Sequence, residues 1–280
     1  MTHYSLLVGS SGGGLPATSF VELTSGSSTF SVPDGYNAIH IQYAIGGGGG
    51  AFRAADYDKA GGESSGAGGG SGAYISDKIL TVTEGETITY TIGSGGAANN
   101  SIPTRYNGSS SPGTSTTLSG SSTGSLFTLN GGGGASASGG GVQGPLRSNT
   151  AGTAGSATIS GTAITSGVFA DSDNSVKNVN TNTSGPVGTF NQSGNGAAGD
   201  NNGNCGGDNC QIGGSDGADS YVGTVLGGVG SPVGGTAGGT AGTRGSGGGG
   251  GGAQYGDGEI AGHGASGGNG EVQYRFLQVI

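Results

Sequence analysis

Residues 38–50 read AIHIQYAIGGGGG, so an alternating segment runs directly into five glycines. Its first eight residues alternate between two faces, with Ile39, Ile41, Tyr43 and Ile45 on one face and Ala38, His40, Gln42 and Ala44 on the other. This period of two predicts a half-buried β-strand. A glycine run adds no side chains to a core, and it predicts instead a place where backbones approach each other closely enough to pair.

The flanking sequence predicts further strands and no α-helix. In STFSVPDGYN (28–37), a short strand runs into a Pro-Asp-Gly turn, and in 79–92 two strands flank the turn TEGE as a hairpin. A third strand pair is predicted around Leu118 and Leu126–Leu129, and the last residues, EVQYRFLQVI, predict a strand that closes the sheet begun near residue 28. No window has helical spacing of its apolar residues. We therefore expect an all-β fold, a small antiparallel sandwich.

Glycine supplies 72 of 280 residues, far above its usual share, and charged residues supply only 9%. An unordered chain of this kind would behave as a flexible linker. The patterned strands at both ends argue against disorder. We expect a lead-in or attachment segment at 1–27 and a glycine-rich β domain at 28–280, with its strands in about 28–130 and 270–280.

The segment from about 131 to 268 is interpreted as a large glycine-rich insert. Within it, glycines recur every third residue from Gly239 to Gly251. Three residues per turn is the period of an extended polyproline-II-type helix, and such helices pack closely where glycine faces the neighbour. Two interpretations stay open here: a packed array of glycine helices, or irregular stacked loops and hairpins.

The order of these segments resembles the glycine-rich domain of bacteriophage tail-fibre tips and minor tail proteins. The pieces that carry the resemblance are TFSVPDG (29–35), AIHIQYAIGGGGG (38–50), GGGSGAYISDKILTVTEGETITYTIGSGG (68–96), SLFTLNGGGG (125–134) and GGNGEVQYRF (267–276). Together they span roughly residues 28–280. The resemblance implies a non-enzymatic, receptor-binding adhesin of the virion, assembled in the host cytoplasm. A purely structural fibre, decoration or tail subunit is the alternative, and an ice-binding protein is a more distant one.

The resemblance also implies partners, namely other virion tail proteins and a bacterial surface glycan or outer-membrane protein. A homotrimer is one oligomeric option, although the sequence has no coiled-coil heptads to drive it. The net charge of −9, with eight Lys plus Arg, argues against nucleic acid and anionic membranes as partners. No apolar run is long enough to span a bilayer, and the N-terminus lacks the pattern of a signal peptide.

Binding residues are expected where large or charged side chains interrupt the glycine pattern. Aromatic rings stack on sugars or fill partner pockets, and sparse tyrosines among Gly, Ser and Asn are typical of antibody contact loops. The alternative is that some of these side chains fill a small core. The receptor-contact candidates are Phe52, Arg53, Asp56, Tyr57, Arg105, Tyr106, Tyr255 and His263.

Other chemistry has weaker support in the sequence. No nucleophile elbow, zinc-protease motif or phosphate-binding loop is present, and no cofactor is expected. Asp171, Asp173 and Asp200 are weak calcium candidates in oxygen-rich loops, but their spacing is more typical of turn residues. Cys205 and Cys210 are either a local disulfide or two free thiols, and a zinc site is not expected because the histidines are scattered.

Overall fold

A computed structural model describes residues 14–52, 66–100, 108–138, 148–173, 175–179, 187–188, 211–212, 217–219, 229, 239–248, 253–254, 260–261 and 263–280. These residues contain strands and no helix, which confirms the all-β prediction. In chain order the strands are β1 (Val21–Leu23), β2 (Ser27–Ser31), β3 (Ala38–Ile45), β4 (Tyr74–Thr81), β5 (Thr87–Thr91), β6 (Gly108–Ser109), β7 (Thr116–Gly120), β8 (Gly124–Leu129), β9 (Ser136–Ser138), β10 (Ser148–Thr150), β11 (Ala157–Ile159), β12 (Val168–Ala170), β13 (Val176–Asn178), β14 (Val187–Gly188), β15 (Gln211–Ile212), β16 (Ala253–Gln254), β17 (Ile260–Ala261) and β18 (Glu271–Leu277).

Two five-stranded antiparallel sheets pack face to face as a sandwich. Sheet A has the strand order β1-β18-β3-β4-β14, and sheet B has the order β11-β8-β7-β5-β2. Their inner faces share one apolar core, in which Ile39, Ile41 and Leu80 of sheet A meet Leu118 and Phe127 of sheet B. The Phe30 ring of β2 stacks on that of Tyr274 of β18, with centroids 4.7 Å apart. The sandwich is therefore held by ordinary side-chain burial.

Strand β3 follows the predicted alternation only as far as Ile41. Its pairing with β18 shifts register at Gln273/Tyr274, so that Gln42 is an extra residue in β3. A bulge reverses the faces of the residues that follow it. As a result Ala44 faces the shared core, whereas Tyr43 reaches Glu271 through its hydroxyl group. The prediction that Tyr43 and Ile45 share a face with Ile39 and Ile41 is therefore wrong.

The predicted pairing of neighbouring strands is correct in one case and wrong in two. Strands β7 and β8 form the predicted hairpin around residues 121–123. Strands β4 and β5 do not pair, because the TEGE turn at 83–86 carries the chain from sheet A to sheet B. The terminal strand β18 lies between β1 and β3, while β2, near residue 28, belongs to the opposite sheet. Alternation identified these strands but not their partners.

The described part of the expected lead-in belongs to the sandwich. Val21–Leu23 forms an edge strand that pairs with β18, and Ala17 is buried in a second apolar cluster with Ala38 and Leu277. The boundary expected between residues 27 and 28 is thus corrected for residues 14–27. Residues 1–13 lie outside the described part.

Beyond the sandwich, the strands continue into a hydrogen-bonded array of glycine-rich segments. The segment 46–52, which follows β3, donates its backbone N–H groups in a threefold cycle. Residues 46, 49 and 52 donate to carbonyls of 66–73; residues 47 and 50 donate to 110–114; residues 48 and 51 donate to 263–270. The donor–acceptor distances run from 2.7 to 3.1 Å. All three acceptor segments run antiparallel to 46–52.

The carbonyl groups of the same segment follow the same cycle. Those of residues 47 and 50 accept from 130–135, those of 48 and 51 accept from 93–99, and that of Gly49 accepts from Gly248. Segment 46–52 therefore has six hydrogen-bonded neighbours, three that accept and three that donate. This is the threefold geometry of a polyproline-II-type glycine helix in a packed array.

Glycine is required because the neighbours lie where a Cβ atom would stand. A Cβ built on Gly47, Gly48, Gly49 or Gly50 would overlap a backbone carbonyl oxygen of another segment. Backbone atoms cannot move aside as a flexible side chain can. The glycine run in AIHIQYAIGGGGG thus builds the array, as its sequence predicts.

The array is not confined to the expected insert at 131–268. Segments 46–52, 66–73, 93–99 and 110–114 all lie before that insert and adjoin sandwich strands. Within the insert, Gly239 and Gly242 keep the threefold spacing by donating to His263 and Ser266. The period then stops, because Arg244 and Gly245, with φ of 43° and 75°, form a tight turn. Gly251 lies outside the described residues.

We expect Gly48→Ala to lower the free energy of unfolding by about 3 kcal/mol or more, or to prevent folding, because the added methyl group overlaps the carbonyl of Ser246. Gly26→Ala is the matched control. Its Cβ meets no atom within 4 Å, so its positive φ alone costs about 1 kcal/mol. Urea unfolding of both variants checks this, and equal small losses would contradict the close packing of the array.

Glu86 joins two turns at the end of the sandwich opposite the array. Its carboxylate accepts hydrogen bonds from the N–H groups of Thr83 (2.7 Å), Ser122 (3.0 Å) and Thr123 (3.0 Å). Burial by itself would raise the pKa of Glu86, but these hydrogen bonds outweigh it and hold the pKa below its usual value. Because the folded-state pKa is depressed, the stabilisation is present at neutral pH and is lost as the pH falls through that pKa.

Glu86→Gln should lower the free energy of unfolding by about 2 kcal/mol at pH 7, since the amide accepts through one oxygen and brings two donors to a site that already supplies donors. The difference from wild type should shrink as the pH falls below about 4. Glu84→Gln, at an exposed position of the same turn, is the control and should be near neutral. A difference that is constant between pH 3 and pH 7 would contradict the role of the charge.

Candidate binding surface at the end of the glycine array

Three stretches of chain leave and re-enter the array at one end, away from the sandwich. Phe52 donates to Ala67 at 2.9 Å, so the two ends of stretch 53–65 are neighbours. Asn99 bonds through its side chain to the carbonyl of Ser109 at 2.9 Å, which brings together the ends of stretch 101–107.

The third stretch starts beside the other two. Strands β9 and β10 pair Ser138 with Ser148 and so close stretch 139–147. Strand β9 also pairs with β6, and Asn99 donates to Ala51 at 3.1 Å. All three stretches therefore share one anchoring surface, which we call the loop end of the array.

In the described part of the chain, the opposite end carries tight turns and the described termini. Gly35, Gly85 and Gly124 adopt positive φ in turns between sandwich strands. Leu15 donates its N–H to the side chain of Gln278, which places the first and last described residues together. The described part of the chain thus has a turn end and a loop end, separated by the length of the sandwich and the array.

Most of the predicted contact residues lie in the stretches between these anchors. Arg53, Asp56 and Tyr57 fall in 53–65, Arg105 and Tyr106 fall in 101–107, and Tyr255 falls in 255–259; all are outside the described residues. His263 is described and exposed, two residues before the Ala265 carbonyl that accepts from Ala51. Its position at the loop end is consistent with a contact role, which stays a prediction.

Phe52 does not fit the prediction of a surface contact. Its side chain is 2% exposed and packs with Ala67 and Ala135. A Cβ on Gly108 would lie 2.7 Å from the Phe52 ring, so the ring fills the space that this glycine leaves. Phe52 is thus a packing residue that closes the array at its last described residue before stretch 53–65, and its expected exposure as a contact residue is corrected.

The aspartates proposed as weak calcium ligands make other contacts. Asp171 accepts from the Arg275 guanidinium at 2.7 Å and from the N–H of Ser172 at 2.8 Å. Asp173 accepts from the N–H of Ser175 at 2.9 Å, as turn residues do. Among the described residues no three His, Cys, Asp or Glu side chains gather as a metal site. Asp200, Cys205 and Cys210 lie outside the described part.

A polar cluster on the outer face of sheet A was not predicted from the sequence. The Arg275 Nε–H donates to His40 Nδ1 at 3.3 Å, and His40 Nε2 lies 2.9 Å from Asp77. Burial lowers the pKa of His40, and the hydrogen bond to Asp77 opposes that shift. The guanidinium also lies 4.6 Å from the centre of the Phe20 ring. Both ring nitrogens of His40 are occupied, so the cluster secures the sheet and leaves no free base.

A second outer-face cluster joins the sandwich to the array. Tyr43 donates its hydroxyl to Glu271, and Arg244 lies 3.3 Å from the same carboxylate. Burial raises the pKa of Glu271, while the Tyr43 hydrogen bond opposes it. The alternation of polar and aromatic residues in EVQYRFL could have predicted these two clusters, because it places Glu271 and Arg275 on the face away from the core.

The described residues define a class of protein, an all-β sandwich whose strands extend into a glycine-helix array. The model of the family described as "Glycine-rich domain" matches residues 23–277, and the chain belongs to that family. A comparison with curated protein sequences finds no matching relative. No helix in the described part is long and apolar enough to cross a membrane.

If Phe52 closes the array, Phe52→Ala should lower the free energy of unfolding by about 3–4 kcal/mol, as expected for a buried ring. Phe20→Ala, where the ring is 38% exposed, is the control and should cost clearly less. Urea unfolding monitored by circular dichroism measures both. A Phe52→Ala protein as stable as wild type would restore Phe52 to the list of surface contacts.

Proposed function

We propose that this protein is a non-enzymatic tail-fibre or tail-tip protein of a bacteriophage, and that its loop end binds the bacterial surface. The ligand class is a surface glycan or an outer-membrane protein. The order of sequence segments described above resembles phage tail-fibre tips, and membership of the glycine-rich domain family is compatible with that assignment.

The observation that carries the proposal is the shared anchoring of the three stretches at the loop end. Binding loops need a rigid support and freedom to vary at their tips. Here the anchors at residues 52 and 67, and at 99 and 109, are fixed by backbone hydrogen bonds or by backbone–side-chain hydrogen bonds. Arg53 lies in stretch 53–65, and Arg105 and Tyr106 lie in stretch 101–107, the two stretches that these anchors flank.

The turn end would then face the virion and contact other tail proteins, with the protein located in the particle after assembly in the host cytoplasm. The alternative is a purely structural virion component, in which the array serves packing alone. Such a component would keep the same stability but would not bind cells.

Binding of fluorescently labelled protein to intact bacteria tests the proposal. On a strain that binds, the double variant Arg105→Ala/Tyr106→Ala should weaken binding about tenfold or more, as loss of contact residues at an interface does. Asp34→Ala/Glu84→Ala, at exposed positions of the turn end, is the matched control and should bind as wild type.

Excess unlabelled protein should also block adsorption of the phage to those cells. If the protein neither binds cells nor blocks infection, the receptor-binding role is rejected in favour of the structural one. Equal effects of the two double variants would contradict the assignment of binding to the loop end.

A further inference from the structure

Strand β2 is an open edge of sheet B. Just beyond β5 the N–H of Ile92 donates to the carbonyl of Gly26, and just before β5 the carbonyl of Glu86 accepts from the N–H of Val32. The backbone N–H and C=O groups of the even-numbered residues of β2 therefore point toward β5. The N–H and C=O groups of Ser27, Thr29 and Ser31 consequently point away from the sheet. All three residues are exposed.

This edge has none of the usual protection against pairing. The strand sequence SSTFS has no charge and no proline, and its register with β5 is regular over all five residues. The other edges described in the two sheets are shorter: β1 and β11 have three residues each, and β14 has two. Strand β1 in addition carries Glu22. Strand β2 is thus the longest unprotected edge in the described part of the sandwich.

The face next to this edge is also uncharged. A row of hydroxyl side chains crosses all five strands of sheet B through the registered pairs Ser27, Thr91, Thr117, Thr128 and Thr158. Only residues 24–26 separate β2 from β1, so the edges of both sheets lie on one side of the sandwich. On that side Val21 is 43% exposed. Strand β2 itself carries no carboxylate, so in a chain of net charge −9 two copies of β2 can approach without like charges facing each other within the strand pair.

We propose that β2 pairs antiparallel with β2 of a second copy of this chain, on a twofold axis through Thr29. Ser27 then lies opposite Ser31 of the second copy, and the outward groups of both strands form about six hydrogen bonds. The hydroxyl row continues from one sheet B to the next. The pairing is isologous, since the same strand serves on both sides.

The strand chemistry favours a second copy over a foreign peptide. SSTFS is uncharged. When two copies of it pair about Thr29, Phe30 of one copy lies opposite Ser28 of the other, so a large side chain meets a small one on the inner face. A half-buried Phe30, already stacked on Tyr274, gains cover from this arrangement. This inference is independent of receptor binding, because it concerns the side of the sandwich and not the loop end.

Analytical ultracentrifugation of the full chain, over about 1–100 μM, tests the pairing. Wild type should dimerise reversibly. Thr29→Pro removes an outward N–H without removing a bond to β5, and it should raise the dimer Kd about tenfold or more while leaving thermal unfolding of the monomer nearly unchanged. A wild type that stays monomeric throughout, or a dimer that Thr29→Pro leaves intact, would overturn the proposal.

A charge-swap pair distinguishes a second copy from any other occupant. Thr29→Lys and Thr29→Glu should each be monomeric, because like charges meet on the twofold axis, and a mixture of the two should form a heterodimer. Thr89→Lys, directly opposite Thr29 but one strand further in, is the matched control and should dimerise as wild type. Failure of the mixture to associate, or an equal effect of Thr89→Lys, would show that β2 does not pair with itself.

Discussion

The structure depends on how closely the backbone of residues 46–52 approaches its neighbours. In a threefold helix, successive N–H groups point in three directions, so one segment can bond to several neighbours at once. Such bonds form only where no Cβ stands between the chains, and the four glycines from Gly47 to Gly50 would all place one on a neighbouring carbonyl. The array is therefore stabilised by satisfied backbone groups in a region that has few large side chains to bury.

The sandwich determines which segments meet in the array. Segments 66–73 and 263–270 adjoin β4 and β18, the two partners of β3 in sheet A. Segments 93–99, 110–114 and 130–135 adjoin β5, β7 and β8 of sheet B. Segment 46–52 continues β3, the central strand of sheet A, and it bonds to segments that adjoin strands of both sheets. The two sheets of the sandwich therefore continue into a single array. The array in turn holds the residues that flank stretches 53–65 and 101–107. A substitution at a buried glycine of the array is therefore expected to displace these flanking residues.

Much of this fold could be predicted from local patterns, and the rest depended on contacts between distant residues. The alternation before Gly46 gave β3, and the glycine run gave the close approach of backbones. The extra residue at Gln42 could not be seen, because a bulge is defined by its partner strand. The exchange of sheets at the TEGE turn was missed for the same reason. Phe52 was wrongly predicted to be exposed, because a large residue that interrupts a glycine run is expected at the surface. In the structure its ring fills the space that Gly108 leaves.

The threefold spacing from Gly239 was informative over only part of its length, since Arg244 and Gly245 turn the chain. The polar contacts of Glu271 and Arg275 were suggested by alternation in the last strand, but their partners Tyr43, Arg244 and Asp171 are distant in sequence. The sequence patterns thus located strands and glycine segments, whereas the pairing of these elements is set by contacts between residues that are distant in sequence.

Amide hydrogen exchange of segment 46–52 measures whether its backbone is hydrogen-bonded in the array. Although this segment is not a β-strand, each of its N–H groups from Gly46 to Phe52 donates to a carbonyl of another segment. We expect these amides to be protected about as strongly as those of β3, because both sets exchange only when the folded unit opens. Exchange of Gly47–Gly50 at the rate of an exposed loop, in a protein whose β3 amides are protected, would contradict this expectation.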